Sequence, residues 1–243
     1  VSQKAKQAGI PFMNIVQACA FDPTGWRTPN ASELRFLVYS TAAHGAQGIS
    51  YFNYYSPPGT GGLAPNPDGT PTDVFTALTP LNKEFKNVAA QYQSLKPIGS
   101  YLKGYRSSAL PPGTTQLPSD SPFNISSISN SMSYSDGAAL KGVLFGFFDK
   151  DGTTLADATV ALIQNLDYTT NKSYTVTGPG NLSIFDAATG VWTPTGHDYV
   201  TLDLAAGGGI LVGLTSVVPE PSGMSLLGIG FLGICAYGWQ KRR

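Results

Sequence analysis

Gln17, Asp22, Trp26 and Arg27 follow one apolar run of this sequence, and Asn53, Tyr54 and Tyr55 close a second. Amides and guanidinium groups hydrogen-bond hydroxyls, while indole and phenol rings stack on pyranose faces, so together these side chains suit a carbohydrate. Cleaving a glycoside asks for more. A retaining enzyme needs two carboxylates about 5 to 5.5 Å apart and an inverting enzyme about 6.5 to 9.5 Å, and this set offers a single candidate, Asp22. Glu33 lies close by in sequence, but Asn30-Ala31-Ser32-Glu33 has capping-box spacing, which gives its carboxylate a structural task. His44 reads as a capping or packing residue near the end of the same helix, and His197, in Pro194-Thr195-Gly196-His197-Asp198, as an exposed turn residue. Asp149-Lys150-Asp151-Gly152 opens like a calcium loop but lacks the later oxygen ligands and the closing Glu. Asp151-Gly152 instead reads as a hairpin turn. No metal site and no cofactor are expected.

The elements that must position these residues alternate. Residues 1 to 9 read as the end of a helix, and Ile10 to Cys19 as a mostly apolar buried strand. The capping box then starts a helix carrying Leu34, Leu37, Val38, Thr41 and Ala42 at helical spacing, punctuated by Gly45 and Gly48. Gly48 to Tyr55 reads as a second buried strand, Ser56 to Thr70 as a Pro/Gly-rich loop, and Pro80 to Leu95 as a helix with Leu81, Phe85, Val88, Tyr92 and Leu95 on one face. Apolar strands alternating with helices predict a parallel sheet covered by helices. From about Ile98 the helical period disappears. Strands are expected at Lys141–Phe148, Ala158–Gln164, Ser173–Val176, Leu182–Phe185, Tyr199–Leu204 and Ile210–Leu214, whose short lengths and turn spacing predict an antiparallel β-sandwich able to fold without the first 95 residues.

Glu33-Leu34-Arg35, Tyr39, Ala43-His44-Gly45-Ala46-Gln47-Gly48-Ile49 and Tyr51-Phe52-Asn53-Tyr54, followed by Leu81-Asn82-Lys83-Glu84, resemble the last βα units of (β/α)8 glycoside hydrolases of the β-galactosidase-like type. The resemblance implies an incomplete TIM-type barrel represented by strands seven and eight. It places the acid/base carboxylate at the end of strand four, which this sequence does not contain, and the nucleophile at the end of strand seven. There the residues are Gln17 to Asp22, so no Glu stands at the expected position and the catalytic residues are unknown beyond Asp22. Barrel ligands meet the carboxyl ends of the strands, which makes Gln17, Trp26, Arg27, Asn53, Tyr54 and Tyr55 the expected substrate-binding set. Phe185-Asp186, Thr189-Gly190-Val191-Trp192, Val200-Thr201-Leu202-Asp203-Leu204 and Gly207-Gly208-Gly209-Ile210-Leu211-Val212 resemble the small antiparallel domain that closes many such enzymes.

Composition narrows the setting. The 15 basic and 15 acidic residues cancel, and only 12% of residues are charged; setting aside the terminal Lys241, Arg242 and Arg243 leaves an acidic excess, which excludes a phosphate backbone as partner. Gly, Ser, Thr, Pro and Tyr abound, as in extracellular β-rich proteins. Two cysteines, one of them in the tail, provide no disulfide framework. The opening Val1-Ser2-Gln3-Lys4-Ala5-Lys6 is an amphipathic stretch rather than a signal peptide, so further chain is expected before Val1.

The other terminus carries an address. Val218-Pro219-Glu220-Pro221 precedes an apolar run, Met224 to Trp239, and the chain closes on Lys241-Arg242-Arg243. As a helix that run spans about 24 Å, marginal for a hydrocarbon core of about 30 Å, and the cations after it should stay cytoplasmic and stop transfer. Motif, apolar segment and basic cluster in this order resemble the PEP-CTERM sorting signal of Gram-negative bacteria. The resemblance implies export, an inner-membrane intermediate anchored by residues 224–239, processing by an exosortase near the motif, and delivery to the cell surface or extracellular matrix. Three segments follow: barrel end at 1–97, β-sandwich at 98–216, sorting signal with its hydrophobic helix at 217–243. The expected function is that of a C-terminal fragment, inactive alone, of an exported glycoside hydrolase-like protein acting on or binding polysaccharide. The alternative is a non-catalytic surface or matrix protein.

Overall fold

The computed structural model describes residues 2–21, 25–55, 57, 60–111, 113–133 and 141–218. The chain runs α1 (Ser2–Ala8), β1 (Met13–Gln17), α2 (Ala31–Ala43), β2 (Gly48–Phe52) and α3 (Asp73–Tyr92) before turning almost wholly to strands. These are β3 (Lys96–Lys103), β4 (Val143–Asp149), β5 (Val160–Asn165), β6 (Lys172–Thr177), β7 (Leu182–Asp186), β8 (Val191–Pro194), β9 (Tyr199–Leu204) and β10 (Gly209–Leu214). It is a mixed α/β fold. β1 and β2 pair in parallel, Gln17 opposite Phe52. An antiparallel sheet of six strands has the order β3-β4-β5-β10-β7-β8, and β6 pairs with β9 as a separate antiparallel ribbon.

The capping box forms as the spacing predicts: the Asn30 side chain accepts from Glu33 N at 3.0 Å and Glu33 Oε2 from Asn30 N at 2.9 Å. α3 starts a full two turns before Pro80. Thr72 is its cap, accepting from Phe75 N, and Pro80 is carried inside the helix. Its buried face holds Leu81, Phe85, Val88 and Tyr92, as the periodicity implies.

Two core clusters lie on opposite faces of the large sheet. On one, Leu34, Val38, Leu81, Phe85 and Val88 of α2 and α3 meet Leu144, Phe148, Leu162, Phe185, Trp192 and Leu211; Tyr92 stacks on Phe148 with ring centroids 4.7 Å apart. On the other, Phe145, Phe147, Ile163 and Val212 face Tyr174, Val176, Val200 and Leu202 of the ribbon. The layers are therefore helix, sheet and ribbon. The change of composition near residue 97 divides the chain but not its core, since the helices supply the cover for one face of the sheet.

α2 lies unusually close to that sheet. A methyl group at Gly146 would sit 2.0 Å from Ala43 O. The fully buried Gln164 amide ties the same layers, donating to Phe36 O at 2.8 Å and Gly207 O at 3.1 Å and accepting from Ser40 Oγ at 3.0 Å.

β1 and β2 depart from expectation. They are shorter than the apolar runs, and their side chains are not enclosed: Met13 is 65% and Ile15 70% exposed, and only Val16 of β1 is buried. Apolar content resembles burial in sequence, but a strand becomes buried only when something covers it, and this pair has cover on one side. No helix among the described residues is long and apolar enough to cross a membrane; the expected membrane helix at 224–239 lies outside them.

Candidate functional site

β1 ends at Gln17, and its continuation is stitched to the loop after β2. Ala18 N donates to Phe52 O at 2.6 Å, Ala20 N to Thr60 O at 2.7 Å, and Gly62 N to Ala18 O at 2.8 Å. Thr28 Oγ1 donates to Thr60 O, and Gly61, with φ of 87°, fits beneath Thr28, where a methyl group would meet Thr28 Cγ2 at 2.6 Å. Phe21 N donates to Trp26 O at 2.9 Å, closing the short loop that carries Trp26 and Arg27.

Gln17, Trp26 and Arg27 share one cavity of about 440 Å³, with Glu33, Phe36 and Tyr168 in its lining. Both Gln17 amide hydrogens are committed, to Cys19 O at 2.9 Å and Arg27 O at 2.8 Å, which leaves its oxygen as the group to offer. Arg27 forms a two-pronged ion pair with Glu33: Nη1 donates to Oε2 at 2.7 Å and Nη2 to Oε1. That hydrogen bond, ahead of the backbone donor at Asn30, holds the Glu33 carboxyl below the usual carboxylate range, and reciprocally it raises Arg27. A carboxylate held ionised by a cap and a guanidinium is a poor proton donor. Glu33 thus keeps the structural task its spacing implies and adds the orientation of Arg27.

Asn53, Tyr54 and Tyr55 follow β2 and do not line that cavity. Tyr54 and Tyr55 are 67% and 73% exposed, Asn53 half-buried. Leu63 N and Ala64 N both donate to Tyr54 O, at 2.8 and 2.7 Å, which fixes the backbone beneath the two rings. Phe21 and Phe52 join the two groups, meeting edge to face with centroids 5.9 Å apart. Trp26, Phe21, Phe52, Tyr54 and Tyr55 are all exposed rings on the segments at and following the carboxyl ends of the parallel pair. Asp22 and residues 219–243, including Pro219, Glu220, Pro221, Lys241, Arg242 and Arg243, lie outside the described residues; Val218 is described and buried.

Sequence reasoning missed Phe21, Phe52 and Tyr168. The phenylalanines flank the chosen residues and carried the same strand-end signal. Tyr168 arrives from a distant β-β connection, its ring edge-on to Phe36 at 5.7 Å, and nothing local marks it.

A larger cavity, about 1020 Å³, opens elsewhere, between α1, the end of α2 and β3, lined by Lys6, Ser40, His44, Ser100 and Tyr101 among others and, among the described residues, by no carboxylate. His44 there bonds Ser40 O through Nδ1 at 2.7 Å, a helix-end contact. The strand-end site, smaller but carrying planar rings and oriented polar groups, is the better candidate for ligand chemistry. Among the described residues no group of three or more His, Cys, Asp or Glu could hold a metal ion.

No curated protein matches the sequence. Solved structures align at low identity. A glycoside hydrolase does so at 13% identity and a TM-score of 0.41, over 85% of this chain and 43% of its own. A GH27 β-L-arabinopyranosidase from Geobacillus stearothermophilus gives 12% and 0.40, over 91% and 40%. A glycoside hydrolase family 5 structure from Bacteroides vulgatus gives 11% and 0.43, over 90% and 46%. The chain spans less than half the length of each. The tail is matched by a family model rather than by shape, and that model assigns it: residues 217–243 are a PEP-CTERM protein-sorting motif, the signal of an exported protein sorted to the cell surface.

Proposed function

We propose that this chain is the C-terminal part of an exported, exosortase-sorted protein that engages polysaccharide, built as the end of a glycoside hydrolase-like barrel followed by a β-rich domain. The observation that carries the reading is the set of exposed rings at the carboxyl ends of two parallel strands, beside oriented amide and guanidinium groups. Large rings supply contact area at low entropic cost, and sugars present apolar faces to them. Among the described residues β1 pairs only with β2, and with Met13 and Ile15 exposed it suits a sheet that further strands would extend. The sorting motif adds the destination: an inner-membrane intermediate of a Gram-negative cell, then the surface or matrix, where polysaccharide is abundant.

Binding is favoured over hydrolysis by the sequence at the end of β1, where Gln17 to Asp22 include no Glu. Among the described residues the carboxylate lining the strand-end cavity is Glu33, and it is consumed by Arg27 and the helix cap. The non-catalytic reading accordingly stands beside the enzymatic one.

Affinity electrophoresis of the chain through gels containing soluble polysaccharides tests the first claim. Retardation by at least one glycan, weakened when Tyr54 and Tyr55 are both changed to Ala, is expected; migration unaffected by any glycan would refute it. Assaying aryl glycosides with the same protein tests the second, and turnover abolished by a point substitution within the chain would establish an enzyme.

A further inference from the structure

Val218 belongs both to the sorting motif and to the core. It is 8% exposed and sits in the cluster that contains Trp192 and Val160. Backbone N–H groups of Val217 and Val218 both donate to Leu214 O, at 2.9 and 3.1 Å, so the chain leaving β10 turns back onto the sheet. Thr215 is fastened too, its N–H to Asn181 O at 2.8 Å and its hydroxyl 2.9 Å from Ser183 Oγ. The seat exists because Gly213 lacks a side chain. A methyl group there would lie 2.5 Å from Val218 Cγ1 and 3.3 Å from both Trp192 and Val160. Pro219-Glu220-Pro221 follows at once, so no linker separates the fold from the motif.

An enzyme that cuts beside a motif grips the substrate in extended form, commonly as an added strand. Residues 215–218 are turned and bonded instead. We propose that the Val218 seat restrains removal of the tail: these residues must leave the sheet before the processing enzyme can hold the motif, and Val218 is a positioning residue for that step. The enzyme then meets a substrate whose competent form is a fraction of the total, and its apparent affinity falls by that fraction. The cut breaks one peptide bond, whose carbonyl passes to water or to an acceptor amine while the tail leaves with a new amino terminus. The inference rests on residues 217–243 being a processed signal.

Pulse-chase labelling of the full chain in a host with an exosortase, following loss of the tail, tests it. Gly213→Ala displaces Val218 while leaving every motif residue in place, and a Gly-Ser-Val spacer inserted between Val218 and Pro219 supplies extended chain and a complete Val-Pro-Glu-Pro motif with the seat untouched. Both should speed processing. The spacer variant should melt with the parent protein, which a merely structural role for the seat would not combine with faster cutting. Equal rates for parent, Gly213→Ala and spacer, or slower cutting in the latter two, would overturn the inference. A parent chain processed no better than one with scrambled Pro219-Glu220-Pro221 would instead remove the sorting premise.

Discussion

Trp26 is 62% exposed beside Arg27, whereas Trp192 is 5% exposed, its indole N–H donating to Gln91 Oε1 of α3 at 2.9 Å and its ring 5.1 Å from Phe185. Trp26→Ala should weaken polysaccharide retention by roughly 1 to 3 kcal/mol and leave the melting point in place. Trp192→Ala should cost about 3 to 5 kcal/mol of stability in urea titrations while folded protein keeps its retention. A fall in melting point with unchanged retention for Trp26→Ala would make the rings packing rather than binding groups. Acid sensitivity also belongs at this scale. Burial alone would raise the Asp149 carboxyl, but N–H donors of Asp151 and Gly152 and the Thr159 hydroxyl outweigh it and hold the group low. Asp167 is alike: burial opposes, the Thr169 hydroxyl and N–H prevail, and Lys172 assists. Folded-state values lie below unfolded ones, so this stabilisation is complete above the unfolded carboxylate pKa of about 3.9 and is lost as pH falls through the folded values. Thermal midpoints should hold down to about pH 5 and decline below it. Thr169→Val should lower the neutral midpoint and flatten the acid decline. The strand-end candidates could be nominated because each lies at or just past the end of an apolar run; Tyr168 and the Arg27–Glu33 pairing could not, since both depend on which loops meet.

At the scale of elements, the closeness of α2 to β4 is the most sensitive contact. Gly146→Ala would drive a methyl group into Ala43 O and push the carboxyl end of α2 off the sheet, at a cost of about 1 to 3 kcal/mol. Denaturant midpoints of this variant against Gly113→Ala, where a methyl group meets nothing, measure it; at Gly113 the loss should reflect only the positive φ of 76°. The capping box of α2 and the periodic face of α3 could be read from the sequence because both are local. β3 could not. Pro97 and Gly99 look like a loop, yet β3 is the edge of the sheet, where a residue without N–H is tolerated, and the register shifts between those two residues. The early start of α3 was hidden by Pro80, which reads as a first-turn residue but sits mid-helix.

At the scale of the molecule, the shared core changes what truncation should do. Residues 98–216 alone keep the strands of the large sheet, apart from Lys96 and Pro97 at the start of β3, but lose the helices over Leu144, Phe148, Leu162, Phe185 and Leu211. That piece should bind a hydrophobic dye and unfold with a shallow transition, whereas residues 2–218 should unfold in one steep step. Equal steepness would show that the β half is self-sufficient, as its strand spacing alone implies. The sheet order has a consequence in time as well. β10, the last strand of the chain, lies between β5 and β7 and hydrogen-bonds both. A polypeptide crossing a membrane amino end first would have β5 and β7 outside with bare edges until Gly209–Leu214 emerged between them. The sorting segment at 217–243 follows that strand directly, so the strand that completes the large sheet is the one that leads straight into the segment by which the exported protein is sorted.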